Sequence, residues 1–161
     1  MIRAEIVGQE AVIVRLKELP ARVRGLVRQA VEAEAINLTR YVKGEKLSGQ
    51  VLRARPPGGH LRRSINYQMQ EIGDGIMASV GTNVVYAGIH EFGGTTRAHV
   101  IQARNKKALA FQAGGETIVR RAVNHPGSKM PERSYLRSSL RENEARIKAN
   151  IAAAVARGLT G

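Results

Sequence analysis

Apolar residues recur at helical spacing through Leu16, Val23, Val27, Val31, Ala35, Leu38 and Val42, which marks one face of a long helix. Proline fits a first turn and breaks a helix interior, so Pro20 places the main helix from about Ala21 to Lys43, with Gly44 as its stop. Ahead of it, residues 2–7 (IRAEIV) read as a short strand. From Ser64 the period drops to two. Ile65, Tyr67 and Met69 alternate with Asn66, Gln68 and Gln70. Gly73-Asp74-Gly75 then makes a turn, and Ile76, Ala78 and Val80 alternate again, which predicts a β-hairpin with one buried face. HVIQA, ALAFQA and TIVRRAV are three further short strands, separated by the basic turn Arg104-Asn105-Lys106-Lys107 and by Gly114-Gly115. Helical spacing returns in Leu136, Leu140, Ile147, Ile151 and Val155, with Pro131 and Glu132 suited to the first turn and Gly158 to the end. Helix, strands, helix, without strand-helix alternation or repeat, predicts an α+β fold. Its antiparallel sheet has four or five strands, and the long N-terminal helix and the C-terminal helix pack on one face.

Between the first helix and the hairpin, GEKLSGQVLRARPPGGHL combines four glycines, two adjacent prolines and the arginines Arg53 and Arg55, a composition that suits neither a helix nor a central strand. It predicts a flexible basic loop over about residues 44–63 within a single domain spanning 1–161. Hydrophobic residues make up 43% of the 161 but aromatics only 4%, with no tryptophan, so the core is built from Val, Ile, Leu and Ala.

Charge changes the picture more. Lys and Arg number 26 against 13 acidic residues, a net +13, which favours a polyanionic partner, either nucleic acid or an acidic protein surface. The excess is concentrated in the middle of the chain: residues 44–65 hold five basic against one acidic, and residues 84–130 seven against two. There is no cysteine, which excludes disulfides and thiolate chemistry. Arg3 and Glu5 interrupt the apolar core a signal peptide needs, and no apolar run reaches the roughly 20 residues of a membrane span. The expectation is a soluble protein made in the cytoplasm, with no membrane contact.

The stretch YAGIHEFGG (86–94) places a histidine and a glutamate side by side, yet a zinc-protease helix needs a second histidine one turn on, where Phe92, Gly93 and Gly94 stand. His99 and His125 fall on a strand edge and a Pro-Gly turn. No nucleophile elbow, phosphate loop or converging carboxylate pair occurs either. The expectation is a protein that is not an enzyme and holds no metal or cofactor. Tyr86 to Phe92 instead reads as one helical turn with Tyr86, Ile89 and Phe92 facing the core. Gly93-Gly94 ends it, and Glu91 is free to meet solvent, a basic neighbour or another chain.

These residues also carry a resemblance. Tyr86-Ala87 and Glu91-Phe92-Gly93 are preceded by Val80-Gly81-Thr82 and followed by Lys107-Ala108-Leu109-Ala110-Phe111. Together they resemble the tail-completion, or neck, family of long-tailed bacteriophages, also called virion morphogenesis proteins. Upstream, Lys46-Leu47-Ser48-Gly49-Gln50-Val51-Leu52 and Leu61-Arg62-Arg63-Ser64-Ile65 are similar to the segment leading into that family's first hairpin. Downstream, Pro131-Glu132-Arg133-Ser134-Tyr135-Leu136 is similar to the opening of its final helix. The likeness covers about residues 40–145, with Ser134 standing where the family often has proline and Arg55-Pro56-Pro57-Gly58-Gly59 looking like an insertion. On this resemblance Tyr86, Glu91, Phe92, Gly93 and Leu136 are structural motif residues.

The resemblance implies a structural virion protein at the neck, assembled in the host bacterial cytoplasm. It would form a hexameric ring that joins tail to head around the DNA channel. Its partners would be the head closure or connector protein and the tail terminator or tail tube. Charge and turn content make Leu52, Arg53 and Arg55, and a hairpin tip running from Arg97 through Arg104, Lys106 and Lys107, the candidate contacts with subunits or partners, together with Glu91. Two alternatives stand beside this reading. One is a tail terminator protein capping the tube. The other, of a different class, is a basic, sequence-nonspecific nucleic-acid-binding module, although such modules stack bases on aromatics and this chain has few.

Overall fold

In the computed structural model, which describes residues 2–4, 21–49, 59–73, 75–104 and 107–160, helix α1 (Ala21–Tyr41) buries Val23, Val27, Ala35 and Leu38 along the predicted stripe. It does not stop at Gly44. After Tyr41 the chain widens into a π-helical turn (Val42–Lys46), closed by the Leu47 N–H donating to the Val42 carbonyl at 3.1 Å. The wider turn lets Val42 and Leu47, five residues apart, enter the core together.

The predicted flexible loop is anchored at both ends. Leu47 and Leu61 are buried, residues His60–Ser64 form a short helix α2, and Arg62 Nε donates to the Lys43 carbonyl at 2.8 Å. Residues 50–58, and with them Leu52, Arg53 and Arg55, lie outside the described residues.

The sheet is smaller than the sequence predicts. Strands β1 (Ile2–Ala4), β2 (Asn66–Ile72) and β3 (Gly75–Thr82) pair antiparallel in the order β1-β3-β2, and the predicted hairpin runs in register from Ile72↔Gly75 to Asn66↔Gly81. The later strands do not join it. They pair with one another as separate two-stranded ladders.

Helix α1 lies on β2 and β3, and the last helix, α4 (Arg137–Thr160), packs chiefly along α1 and not on the sheet. The residues leading into α4, with Tyr135 and Leu136 at the centre, and Leu140 in its first turns reach the core formed by Leu38, Val42, Ile65 and Val80. Helix α4 starts at Arg137, later than Pro131 and Glu132 led one to expect. It is held on α1 by Glu34, which is nearly buried and accepts from Arg146 Nη1 at 2.5 Å and Asn150 Nδ2 at 2.7 Å. Such a pair keeps two partly desolvated charges satisfied and thereby fixes the helix register. Gly158, predicted as the helix end, instead lies inside α4, where it permits close packing. A β-carbon there would sit 2.7 Å from Val23 Cγ2 and 2.9 Å from Val23 Cα.

Two glycine-to-alanine substitutions should therefore move stability in opposite directions. Gly25, inside α1 with nothing near its missing side chain, should gain about 0.5–1 kcal/mol as Gly25→Ala. Gly158→Ala should lose about 1–3 kcal/mol by forcing α4 off α1. Urea unfolding of the two variants checks this, and a stabilised Gly158→Ala would refute the close helix contact.

Candidate functional site: a projecting ribbon and the clasp at its root

Helix α3 (Ala87–Phe92) is a short turn, as expected, but a different face is inward. Tyr86 and Phe92 are exposed, whereas Ala87 and Glu91, four apart, are fully buried. The reason is the fate of the Glu91 carboxylate, which has 0% exposure. It accepts from the Ser134 hydroxyl (2.8 Å), from the backbone amides of Tyr135 (2.8 Å), Leu136 (2.9 Å) and Arg137 (3.0 Å), and from Arg137 Nε (3.1 Å). The amides at the start of α4 have no partner within their own helix, and the helix dipole adds positive potential there. Glu91 thus caps a helix 46 residues further along the chain.

The rest of the motif completes the clasp. Arg137 Nη2 donates to the Glu91 carbonyl (3.0 Å) and to Glu132 Oε1 (2.7 Å), while its guanidinium lies 4.4 Å from the centre of the Phe92 ring. Phe92 is therefore a platform for Arg137 and not a core residue. Gly93 follows at φ 70°, and a β-carbon there would stand 2.8 Å from the Glu132 amide nitrogen and 3.1 Å from the Met130 carbonyl. Only glycine passes so close to the returning strand. The Arg133 amide donates to the His90 carbonyl at 2.9 Å, and the buried Tyr135 hydroxyl reaches toward the Ala87 carbonyl at 3.4 Å.

Electrostatics agree with this geometry. Burial by itself would raise the Glu91 carboxyl, but hydrogen bonds from the Leu136, Arg137 and Tyr135 amides and the Ser134 hydroxyl outweigh it and hold the group below its ordinary value. Burial, then the Glu91 and Tyr86 charges, push the Tyr135 phenol far up. Burial and Arg133 push His90 down, which favours its neutral form, and its ring meets Tyr86 edge-on at 6.0 Å.

What the clasp closes is a long excursion of the chain. Strands β4 (Gly94–Thr95) and β9 (Lys129–Met130) pair directly beyond it, followed by β5 (His99–Gln102) with β8 (Ala122–His125), and β6 (Leu109–Ala113) with β7 (Glu116–Arg120). Gly114 and Gly115, at φ 63° and 87°, make the two-residue turn at its end. Positive φ at both positions matches the twist of a hairpin and favours glycine. The result is a two-stranded ribbon whose strands make extensive contacts only with each other. At ~3.3 Å per residue its returning strand, Glu116 to Met130, spans up to roughly 50 Å. Its surface remains uncovered: Val100 is 54% exposed, Val119 55%, and Ile101 and Phe111 38% each.

Several expectations change here. The hairpin tip is Gly114-Gly115, not the Arg97–Lys107 segment, because β5 pairs with β8 across the ribbon and not with β6 across the basic turn. Arg97 stands near the root, whereas Arg104 and Lys107 flank an interruption between β5 and β6. Lys106 lies outside the described residues. Glu91, offered as an interface residue, is instead saturated by partners in its own chain. Gly93 and Leu136 do belong to one constellation with it. Two features went unnoticed in the sequence. Ser134 and Arg137 complete the clasp, and His99 and His125 meet across the ladder with stacked rings 5.0 Å apart. His125 Nδ1 accepts from the Gly127 amide at 3.0 Å, while His99 Nδ1 lies 3.0 Å from the Arg97 carbonyl.

Glu91→Gln keeps the shape but halves the acceptors and removes the charge. Destabilisation of about 3 kcal/mol is expected from urea unfolding at neutral pH. Because the native carboxyl titrates below its unfolded value, its contribution is complete above about pH 4.5 and fades as pH falls through the lower native value. The gap between wild type and Glu91→Gln should accordingly shrink on acidification below about pH 4. A gap independent of pH would mean that the charge is not what the clasp uses.

The family model of the phage virion morphogenesis family matches residues 32–156, a span that takes in α1 from Glu32 onward, the clasp, the whole ribbon and most of α4. Searches of curated proteins and of solved structures return no match.

Proposed function

Because the chain belongs to the phage virion morphogenesis family, we propose that it is the tail-completion, or neck, protein of a tailed bacteriophage, building a ring of copies that joins the tail to the head. The observation carrying this reading is the ribbon over residues 94–130, clamped rigidly at its root by Glu91 and left without a core of its own. An isolated two-stranded ribbon is marginal in water. Its exposed Val100, Phe111 and Val119 are best explained by a neighbour that covers them on assembly. A joining protein needs such reach.

The body supplies a second surface. Val85 is 100% exposed and Tyr86 46%, side by side at the start of α3. This apolar pair on the body suits contact between sister copies closing a ring. The clasp fixes the direction of the ribbon against that body, so every copy would present its ribbon at the same angle. Nothing in this role requires a reaction, a metal or a cofactor.

Deletion of the gene from its phage is the test. The expected outcome is finished, separate heads and tails of normal length, with infectivity restored by the supplied protein, and averaged images of wild-type necks should show a ring at the junction. Tails of uncontrolled length would point instead to the tail terminator role. Joined, infectious particles in the absence of the protein would overturn the assignment.

A further inference from the structure

The ribbon's occupant is legible from its chemistry. Cross-strand register puts Ile101 and Val123 on one face of the β5/β8 ladder and Val100 on the other. In the β6/β7 ladder Phe111 and Ile118 share one face, with Val119 and Ala110 opposite. Both faces are therefore part apolar, and a ribbon of this kind is satisfied by a groove that covers two sides and not by a flat surface. Its charge is one-sided. Residues 94–130 carry seven basic side chains against Glu116 alone, leaving the remainder of the chain, out of a net +13, at +7.

A second copy of this chain is a poor fit for such a ribbon. Its body is itself positive, and among its described residues nearly every carboxylate is already engaged. Glu34 and Glu91 are buried in the contacts described, Glu71 is paired with Arg24 and Arg28, Glu132 with Arg137, Glu142 with Lys46, and Glu144 with Lys148. Glu32 accepts from the Tyr67 hydroxyl. Among the described residues of the body, Glu45 alone has no hydrogen bond or ion pair. Docking the ribbon there would set like charges together or break existing pairs, which costs specificity and affinity alike. Duplex DNA would answer the charge but would leave the exposed valines and Phe111 uncovered, and the ribbon carries a single aromatic for stacking.

We propose that the ribbon docks in an acidic, apolar-lined groove of a different protein of the particle, while sister copies meet through the body. This rests on the assignment as a particle component and adds which segment makes the foreign contact and by what chemistry. The division of labour follows from charge. Repulsion between ribbons and bodies of sister copies leaves the ribbon unclaimed until an acidic partner arrives.

The test uses the full-length protein with a photo-activated cross-linking residue at Phe111 or Val119, incorporated into particles in infected cells, and mass spectrometry of the adducts. Adducts to a net acidic segment of another particle protein are expected. They should be lost when Arg104, Lys107, Arg120 and Arg121 are all changed to glutamate, while self-association of the purified variant, followed by sedimentation, stays as in wild type. Adducts chiefly to sister copies, or self-association abolished by the four substitutions, would overturn the proposal. So would adducts to DNA, or salt-dependent duplex binding that those substitutions remove. A particle position other than the neck, with acidic adducts retained, would refute the neck assignment and leave the docking inference standing.

Discussion

A single buried carboxylate holds the molecule's two halves in order. Glu91 is surrounded by donors it did not bring with it, three backbone amides, a hydroxyl and a guanidinium, all from residues 134–137. A desolvated charge is tolerable only when every lone pair is answered. Because the donors lie at the entry to α4, meeting this requirement forces the chain to return to α3 after the ribbon. The excursion is closed at its base before any of its own strands contribute, so the ribbon's direction is set by the body and not by the ribbon's weak internal stability.

This arrangement separates stability from reach. The body buries Leu38, Val42, Ile65, Val80, Tyr135 and Leu136 in one cluster and secures its outer helix through Glu34 and the Gly158 contact. The ribbon buries almost nothing, which would be a liability in a protein that worked alone, since exposed strand edges invite pairing. Under the proposed role it would be tolerable, because basic side chains on the ribbon would discourage contact with the basic bodies of sister copies. In that role, charge would keep the ribbon uncommitted until the proposed acidic surface is present.

The Glu91-Phe92-Gly93 triplet acquires a physical meaning in the same terms. In Glu91-Phe92-Gly93 the glutamate caps α4, the phenylalanine supports Arg137, and the glycine lets the outgoing strand brush past residues 130–132. Each position answers a constraint imposed by the segment 131–137. The two motifs are thus two sides of one contact.

Much was legible from local pattern. The stripe of α1, the β2-β3 hairpin with its turn, the two-residue glycine turn and the final helix follow from periodicity and backbone preference, which are properties of short windows. The bounds of a single sheet were not legible, because HVIQ or ALAFQA alternates in the same way whether it extends a sheet or runs out in a ribbon. Nor was the inward face of α3. Phe92 looks like core and Glu91 like surface until donors from residues 134–137 are placed beside the carboxylate, and their position depends on how the chain returns. What the sequence by itself determined was the set of elements and the excess of positive charge. Which elements share a core, where the ribbon leaves it and why a glutamate is buried were decided by tertiary structure, because hydrogen-bond satisfaction and burial are properties of residues brought together, not of their order along the chain.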